Sequence, residues 1–100
     1  MPFFVVERGN GPGYDPGRGR REQPLWDEHA AFMDRLVAEG VVVLGGPLGR
    51  EGDTVLLVVE AADEAEVRGR LDEDPWTPLQ VLDYQRIEPW TLWLDGRDRG

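Results

Sequence analysis

The chain of 100 residues has no cysteine, no serine and no lysine, and a single histidine, His29. Each absence removes chemistry. Without cysteine there are no disulfides and no thiolate metal sites, and thiol usage does not report the redox compartment. Without serine, cysteine and lysine the usual hydroxyl and thiol nucleophiles and the Schiff-base amine are gone. One histidine builds no multi-histidine metal site, and no HExxH pair exists, so no metal is expected. Nucleotide loops are excluded too: GxxxxGK[ST] requires lysine, and a GxGxxG starting at Gly17 would need glycine where Glu22 stands. What remains is proton transfer by histidine, carboxylates or tyrosine, and anion recognition by arginine, since all eleven basic residues are arginine. An enzyme built from this set defaults to cofactor-free acid-base chemistry.

A hydrophobic content of 40% in 100 residues predicts one globular domain spanning 1–100. The net charge of −9 opposes nucleic acid and anionic membrane surfaces, whose phosphates would be repelled, and serves solubility. The start, Met1 to Arg8, lacks a basic n-region and reaches charge after four apolar residues, too few for a signal or membrane segment. A soluble, cytoplasmic protein is expected.

Along the chain, Phe3-Phe4-Val5-Val6 predicts a first strand within Pro2–Arg8, apolar on both faces. Residues 9–24 form a long loop rich in Gly, Pro and Arg, either a functional lid or poorly ordered. Its Arg18, Arg20 and Arg21 suit an anionic substrate or simply solvate the loop. An amphipathic helix follows from near Asp27, the expected cap, to Gly40, a left-handed stop. His29, Met33 and Leu36 share its apolar stripe, flanked by Phe32 and Val37. Val41–Leu44 and Thr54–Val59 are apolar runs joined by a short turn and predict an antiparallel hairpin, the first run breaking at Gly45-Gly46-Pro47. A second helix is expected over about Asp63–Leu71, with Asp63 and Glu66 in capping-box register and Ala65, Val67 and Leu71 toward the core. A last strand is expected over Leu79–Ile87, with Val81, Asp83, Gln85 and Ile87 on one face, near an edge or a cavity. The apolar tail at 88–94 then leads to a frayed end at 95–100.

The order strand, helix, strand, strand, helix, strand predicts an α+β, ferredoxin-like βαββαβ fold with an antiparallel sheet. Both helices of that unit cover one sheet face, so the other apolar face needs a second copy, and residues 88–94 are expected to be an arm sealing a homodimer.

Trp26-x-x-His29-x-x-Phe32-Met33-x-x-Leu36, Gly40-Val41-Val42-Val43-Leu44-Gly45-Gly46-Pro47-Leu48, Asp74-Pro75-Trp76 and Ile87-Glu88-Pro89-Trp90 together resemble the YciI-like (YCII-related) proteins of the dimeric α+β barrel superfamily. The similarity covers nearly the whole chain; the departure is the long 9–24 loop. The resemblance implies a ferredoxin-like homodimer whose active site centres on a histidine and an aspartate, by motif position His29 and Asp74. It leaves the activity open: some relatives are lyases acting on chlorinated hydroxyhydroquinones, related barrels include muconolactone isomerases, and most have no assigned substrate.

In that setting His29 is the expected proton mover and Asp74 its orienting carboxylate. The alternatives are a capped, partly buried histidine and the first residue of an Asp-Pro turn. Gly45 and Gly46 leave room for a flat ligand against the backbone, with Pro47 fixing the exit, or mark a β-bulge. Trp26, Phe32, Trp76 and Tyr84 wall an aromatic pocket or belong to the core. The substrate-binding candidates are therefore Arg21, Trp26, Gly45, Gly46, Pro47 and Trp76. The function expected is isomerase- or lyase-type proton transfer on a small cyclic or phenolic metabolite. The alternative is a dimeric protein that binds a small, anionic molecule, or acts as an accessory protein, without turnover.

Overall fold

The computed structural model describes residues 1–97, so the expectation for the end of the chain lies, at 98–100, outside the described residues. Seven elements follow in order: β1 (Phe3–Asn10), a 3-10 turn (Arg20–Glu22), α1 (Trp26–Ala38), β2 (Val42–Leu48), β3 (Thr54–Glu60), α2 (Glu64–Leu71) and β4 (Leu82–Trp90). The strands form one antiparallel sheet in the order β2-β3-β1-β4. This is the ferredoxin-like α+β arrangement predicted from the element order. No helix among the described residues is long and apolar enough to cross a membrane.

Alternation decides which side chains meet the helices. Phe4 and Val6 of β1 and Leu57 and Val59 of β3 turn inward, where Phe32 and Leu36 of α1 and Val67 and Leu71 of α2 cover them. Val6, Val59, Val67 and Leu71 are fully buried. Each contributes about 1.5–3 kcal/mol relative to exposure.

α1 starts one residue before the predicted position, and Asp27 does not cap it. The cap position is Leu25, whose φ of 60° is left-handed and which makes no side-chain cap bond. At the other end Gly40 is the expected stop, with φ +79°. Its N–H donates to Val37 O and that of Val41 to Leu36 O, a double closure that only a left-handed residue at 40 allows. On α2, Asp63 accepts from Glu66 N–H as expected, whereas Ala65 is exposed rather than inward. On α1 the apolar stripe centres on Phe32 and Leu36, leaving Val37 largely exposed.

β4 differs most from expectation. Residues 74–80 turn repeatedly and Gln80 takes φ 55°, so the strand begins only at Leu82, and it runs on to Trp90 instead of stopping at Ile87. It is an edge strand, where Pro89 opposite Phe4 can lack its N–H. Its register on β1 slips between Glu7 and Arg8, placing Gln85 in a bulge. That extra residue puts Tyr84 and Ile87 on the same inward side, against the predicted alternation. Residues 88–90 are therefore sheet, and the tail proper starts at Thr91. Leu92, Leu94 and Arg97 fold back beside Leu44, Val58 and Trp90 of the outer sheet face, with the Arg97 guanidinium over the Phe3 ring.

β2 likewise continues through Gly45-Gly46-Pro47 to Leu48, and its bulge falls at Val43, two residues before the glycines. β1 runs two residues past the predicted end at Arg8, with Gly9 and Asn10 paired to Asp83 and Leu82, so the loop expected at 9–24 starts at Gly11, and it is packed. Buried Gln23 donates from Nε2 to the carbonyls of Asp15, Arg18 and Gly19 and accepts from Asp15 N–H, holding the loop with one side chain. Gly11 and Gly13 donate to Val81 O and Gln80 O. A Cβ on either would collide with the carbonyls of Gln80 or Leu79.

A Cβ at Gly40 would meet nothing within 4 Å, so its substitution tests the backbone alone. Gly40→Ala is expected to lower stability in urea unfolding by about 1 kcal/mol, and Gly40→Asn by less. A Gly40→Ala midpoint at or above the parent's would contradict the helix-stop assignment.

Candidate active site

The site forms where α1 begins, where the chain turns after α2, and where the inner face of β1 ends. His29 sits one turn into α1, with its side chain directed inward by the same periodicity that buries Phe32 and Leu36. Asp74 follows α2 by three residues, in a turn closed by Asp74 N–H to Leu71 O and Thr77 N–H to Asp74 O. Arg8 is the third inward residue of β1 after Phe4 and Val6, and is only 4% exposed.

The Asp74 carboxylate is 1% exposed and is satisfied from within. Its Oδ1 accepts the backbone N–H of Trp76 at 2.8 Å. Its Oδ2 lies 2.6 Å from His29 Nδ1 and 4.0 Å from Arg8 Nη2. An ionised carboxylate only accepts, so a neutral imidazole paired with one carries its hydrogen on Nδ1 and its lone pair on Nε2. Trp76 adds a second restraint. Its ring stacks on the imidazole at 3.8 Å between centroids and 7° between planes, while its Nε1–H donates to Pro24 O at 2.6 Å. Trp26 closes the aromatic cluster at 5.6 Å from His29 and 5.7 Å from Trp76. The imidazole is thus fixed in plane by Trp76 and in rotation by Asp74.

His29 lines a cavity of about 410 Å³, within the range of small-molecule sites. Five of the predicted binding residues line it with His29: Arg21, Trp26, Gly45, Gly46 and Pro47. Val42, Val55 and Leu57 supply an apolar floor. A Cβ at Gly45 would stand 2.6 Å from Leu57 Cδ2 and oblige that side chain to shift, whereas Gly46 has open space above it. Trp76 is the exception among the predicted binding residues. It is fully buried and supports the back of the imidazole, so it faces no ligand space. Phe32 is core, and Tyr84 lines a different cavity.

Tyr84 is also removed from contention as a base. Burial pushes its phenol well above the usual range, and its O–H donates to Asp72 at 2.7 Å, which holds the proton further. Of the three loop arginines, Arg20 and Arg21 reach the cavity, while Arg18 pairs with Asp15. Arg20 donates to Gly52 O at 2.6 Å, tying the loop to the β2–β3 turn, and its buried Nε has no partner among the described residues. Arg21 lies over the Trp26 ring. Among the described residues no group of three His, Cys, Asp or Glu side chains is placed to hold a metal ion.

Sequence reasoning did not single out Arg8. The signal was present: an arginine at an inward position of the strand, in phase with the apolar Phe4 and Val6. Asp34 also reaches the cavity rim from the polar side of α1.

The fold has a solved counterpart. The 5-chloro-2-hydroxyhydroquinone dehydrochlorinase of Burkholderia phenoliruptrix AC1100, in complex with 2,5-dihydroxybenzoquinone, is similar with a TM-score of 0.64 and 23% sequence identity, over 89% of this chain and 93% of that one. The chain matches no curated protein. The YCII-related domain matches residues 3–91, nearly the entire sequence, and the chain therefore belongs to the YCII-related domain family.

Proposed function

We propose that the protein is a small, cofactor-free enzyme in which His29 acts as general base and acid on a cyclic or phenolic metabolite, with Asp74 as its orienting partner. The observation that carries this reading is the 2.6 Å Nδ1 to Asp74 contact of a histidine on a cavity wall. A base of this kind takes a hydroxyl or ring C–H proton on Nε2. It returns the proton elsewhere on the ring in an isomerisation, or leaves it with the departing group in an elimination. Trp26, Gly46 and Pro47 offer a flat ring its surfaces, and Arg20 and Arg21 bring positive charge to a carboxylate or phenolate substituent. A dehydrochlorinase with a similar fold binds a dihydroxybenzoquinone, which favours hydroxylated or halogenated six-membered rings as the first substrates to try.

The same reading includes a homodimer. Leu44, Leu48 and Trp90 on the outer sheet face are about half exposed, and Trp93 and Leu94 of the tail almost fully so. A second copy covering this face would bury them, with the tail as its seal. Sedimentation equilibrium is expected to give twice the 11.3 kDa chain mass, and Leu44→Glu to shift the protein to monomer. A monomeric parent at micromolar concentration would remove this part of the proposal.

On a panel of chlorinated and hydroxylated quinols, His29→Ala and Asp74→Asn are each expected to lower kcat by about 10²-fold or more. Ligand affinity by calorimetry should stay within a few fold of the parent's. Undiminished turnover in either variant would contradict the assignment. Binding by all three proteins with turnover by none would instead identify a non-catalytic binding protein. Arg20→Gln and Arg21→Gln are expected to weaken a carboxylated ligand by about tenfold each, equivalent to one charge-assisted hydrogen bond, and a neutral ring hardly at all. Equal losses for both ligands would assign the arginines to loop packing alone.

A further inference from the structure

Arg8 is an expensive residue to bury. It lies inside the central strand with its side chain 5% exposed, and its Nε finds no acceptor among the described residues. An arginine does not shed its proton, and an unsatisfied buried N–H is costly. At 4.0 Å from Asp74 Oδ2 its Nη2 stands beyond hydrogen-bond reach. Hydrogen bonding therefore does not explain its place, but charge does. The oxygen Arg8 approaches is the one that accepts from His29 Nδ1.

A buried carboxylate beside an imidazole, with no other charge nearby, favours the imidazolium. The two then close into an ion pair, and Nε2 is occupied by a proton instead of being free to take one. A guanidinium on the same carboxylate changes the balance. Asp74 and Arg8 already sum to zero, so protonating His29 adds an uncompensated charge to a buried site. We infer that Arg8 is a positioning residue whose guanidinium offsets the Asp74 carboxylate, so that the His29 imidazole is held neutral with Nε2 open as a base. This rests on the reading of His29 as the proton mover, and it assigns to Arg8 the state in which that residue starts.

The surroundings of Arg8 fit this role. Its guanidinium lies 5.5 Å from the centroid of the Tyr84 ring, a face that supports a cation without neutralising it. The phenol of Tyr84 stays protonated and is engaged with Asp72, so it offers Arg8 no competing anion. The charged groups that share the His29 cavity are Arg20 and Arg21 from the loop and Asp34 from α1. Arg20 and Arg21 act in the same direction as Arg8, and Asp34, which is exposed, opposes them. Asp72 and Asp83 line the cavity on the other side of Arg8, beside Tyr84.

The lone histidine makes the test direct, because one imidazole signal follows one site. The ring of His29 is titrated by NMR in the ligand-free parent, Arg8→Met, Arg8→Gln and Arg8→Lys, with the backbone amide spectrum reporting folding. Loss of the charge in Arg8→Met is expected to move the midpoint to higher pH by about one unit, a tenfold change in proton affinity. Arg8→Lys, which keeps the charge, should return it toward the parent value. Should Arg8→Met not fold, Arg8→Gln carries the same comparison. A midpoint in the neutral variants that is unchanged or moved to lower pH overturns the inference, as does a shift in Arg8→Lys as large as in Arg8→Met. Failure of the two readings is separable. A normal Arg8 effect with no turnover loss in His29→Ala defeats the catalytic reading, while turnover loss with no Arg8 effect defeats this one.

Discussion

A carboxylate shut away from water must find its partners inside the protein, and the need to satisfy Asp74 draws the candidate site together. Its oxygens hold the backbone of Trp76, the ring of His29 and the charge of Arg8, which belong to three separate parts of the chain. Trp76 extends the connection by donating to Pro24, so the end of the long loop is fixed by the same turn that carries the carboxylate. The first turn of α1, the segment after α2 and the inner face of β1 are thus held in one geometry by a single side chain. The histidine is oriented as a by-product of solving a burial problem.

The rest of the cavity follows from how the loop and β2 are held. Gln23 folds the loop on itself, Gly11 and Gly13 let it press against residues 79–81, and Arg20 straps it to Gly52. This brings two arginines to the cavity that the bare backbone of Gly46 also lines. Gly45, Gly46 and Pro47 also border the apolar groove on the outer sheet face, beside Leu44, Leu56 and Trp90. A body covering that face therefore touches the same strand that bounds the cavity.

Much of this was legible in the sequence because local signals and tertiary demands agreed. Apolar periodicity, the glycine at 40 and the capping aspartate at 63 give the elements in order, and the family motif names His29 and Asp74, which stand 45 residues apart. Nothing local links those two; only the fold brings them into contact. What was misread depends on pairing between distant segments. The start and facing of β4 turn on the left-handed Gln80 and the Gln85 bulge, both set by where β1 and the loop already lie. Trp76 reads as a pocket wall in the sequence, and its place behind the imidazole is a matter of packing. Arg8 was visible as an inward charge in a central strand, but its partner could not be known until Asp74 was positioned. The order of the long loop hangs on buried Gln23, which carries no sequence mark of its importance.

The claim on which the account turns is that His29 keeps its proton on Nδ1, against Asp74, and presents Nε2 to the cavity. Nitrogen-15 NMR of the single imidazole reads this without any substrate. At a pH where the ring is neutral, the account predicts a pyrrole-type Nδ1 with a slowly exchanging proton, a pyridine-type Nε2, and loss of that preference in Asp74→Asn. A ring in the opposite tautomer, or one averaging freely between the two in the parent protein, would contradict it.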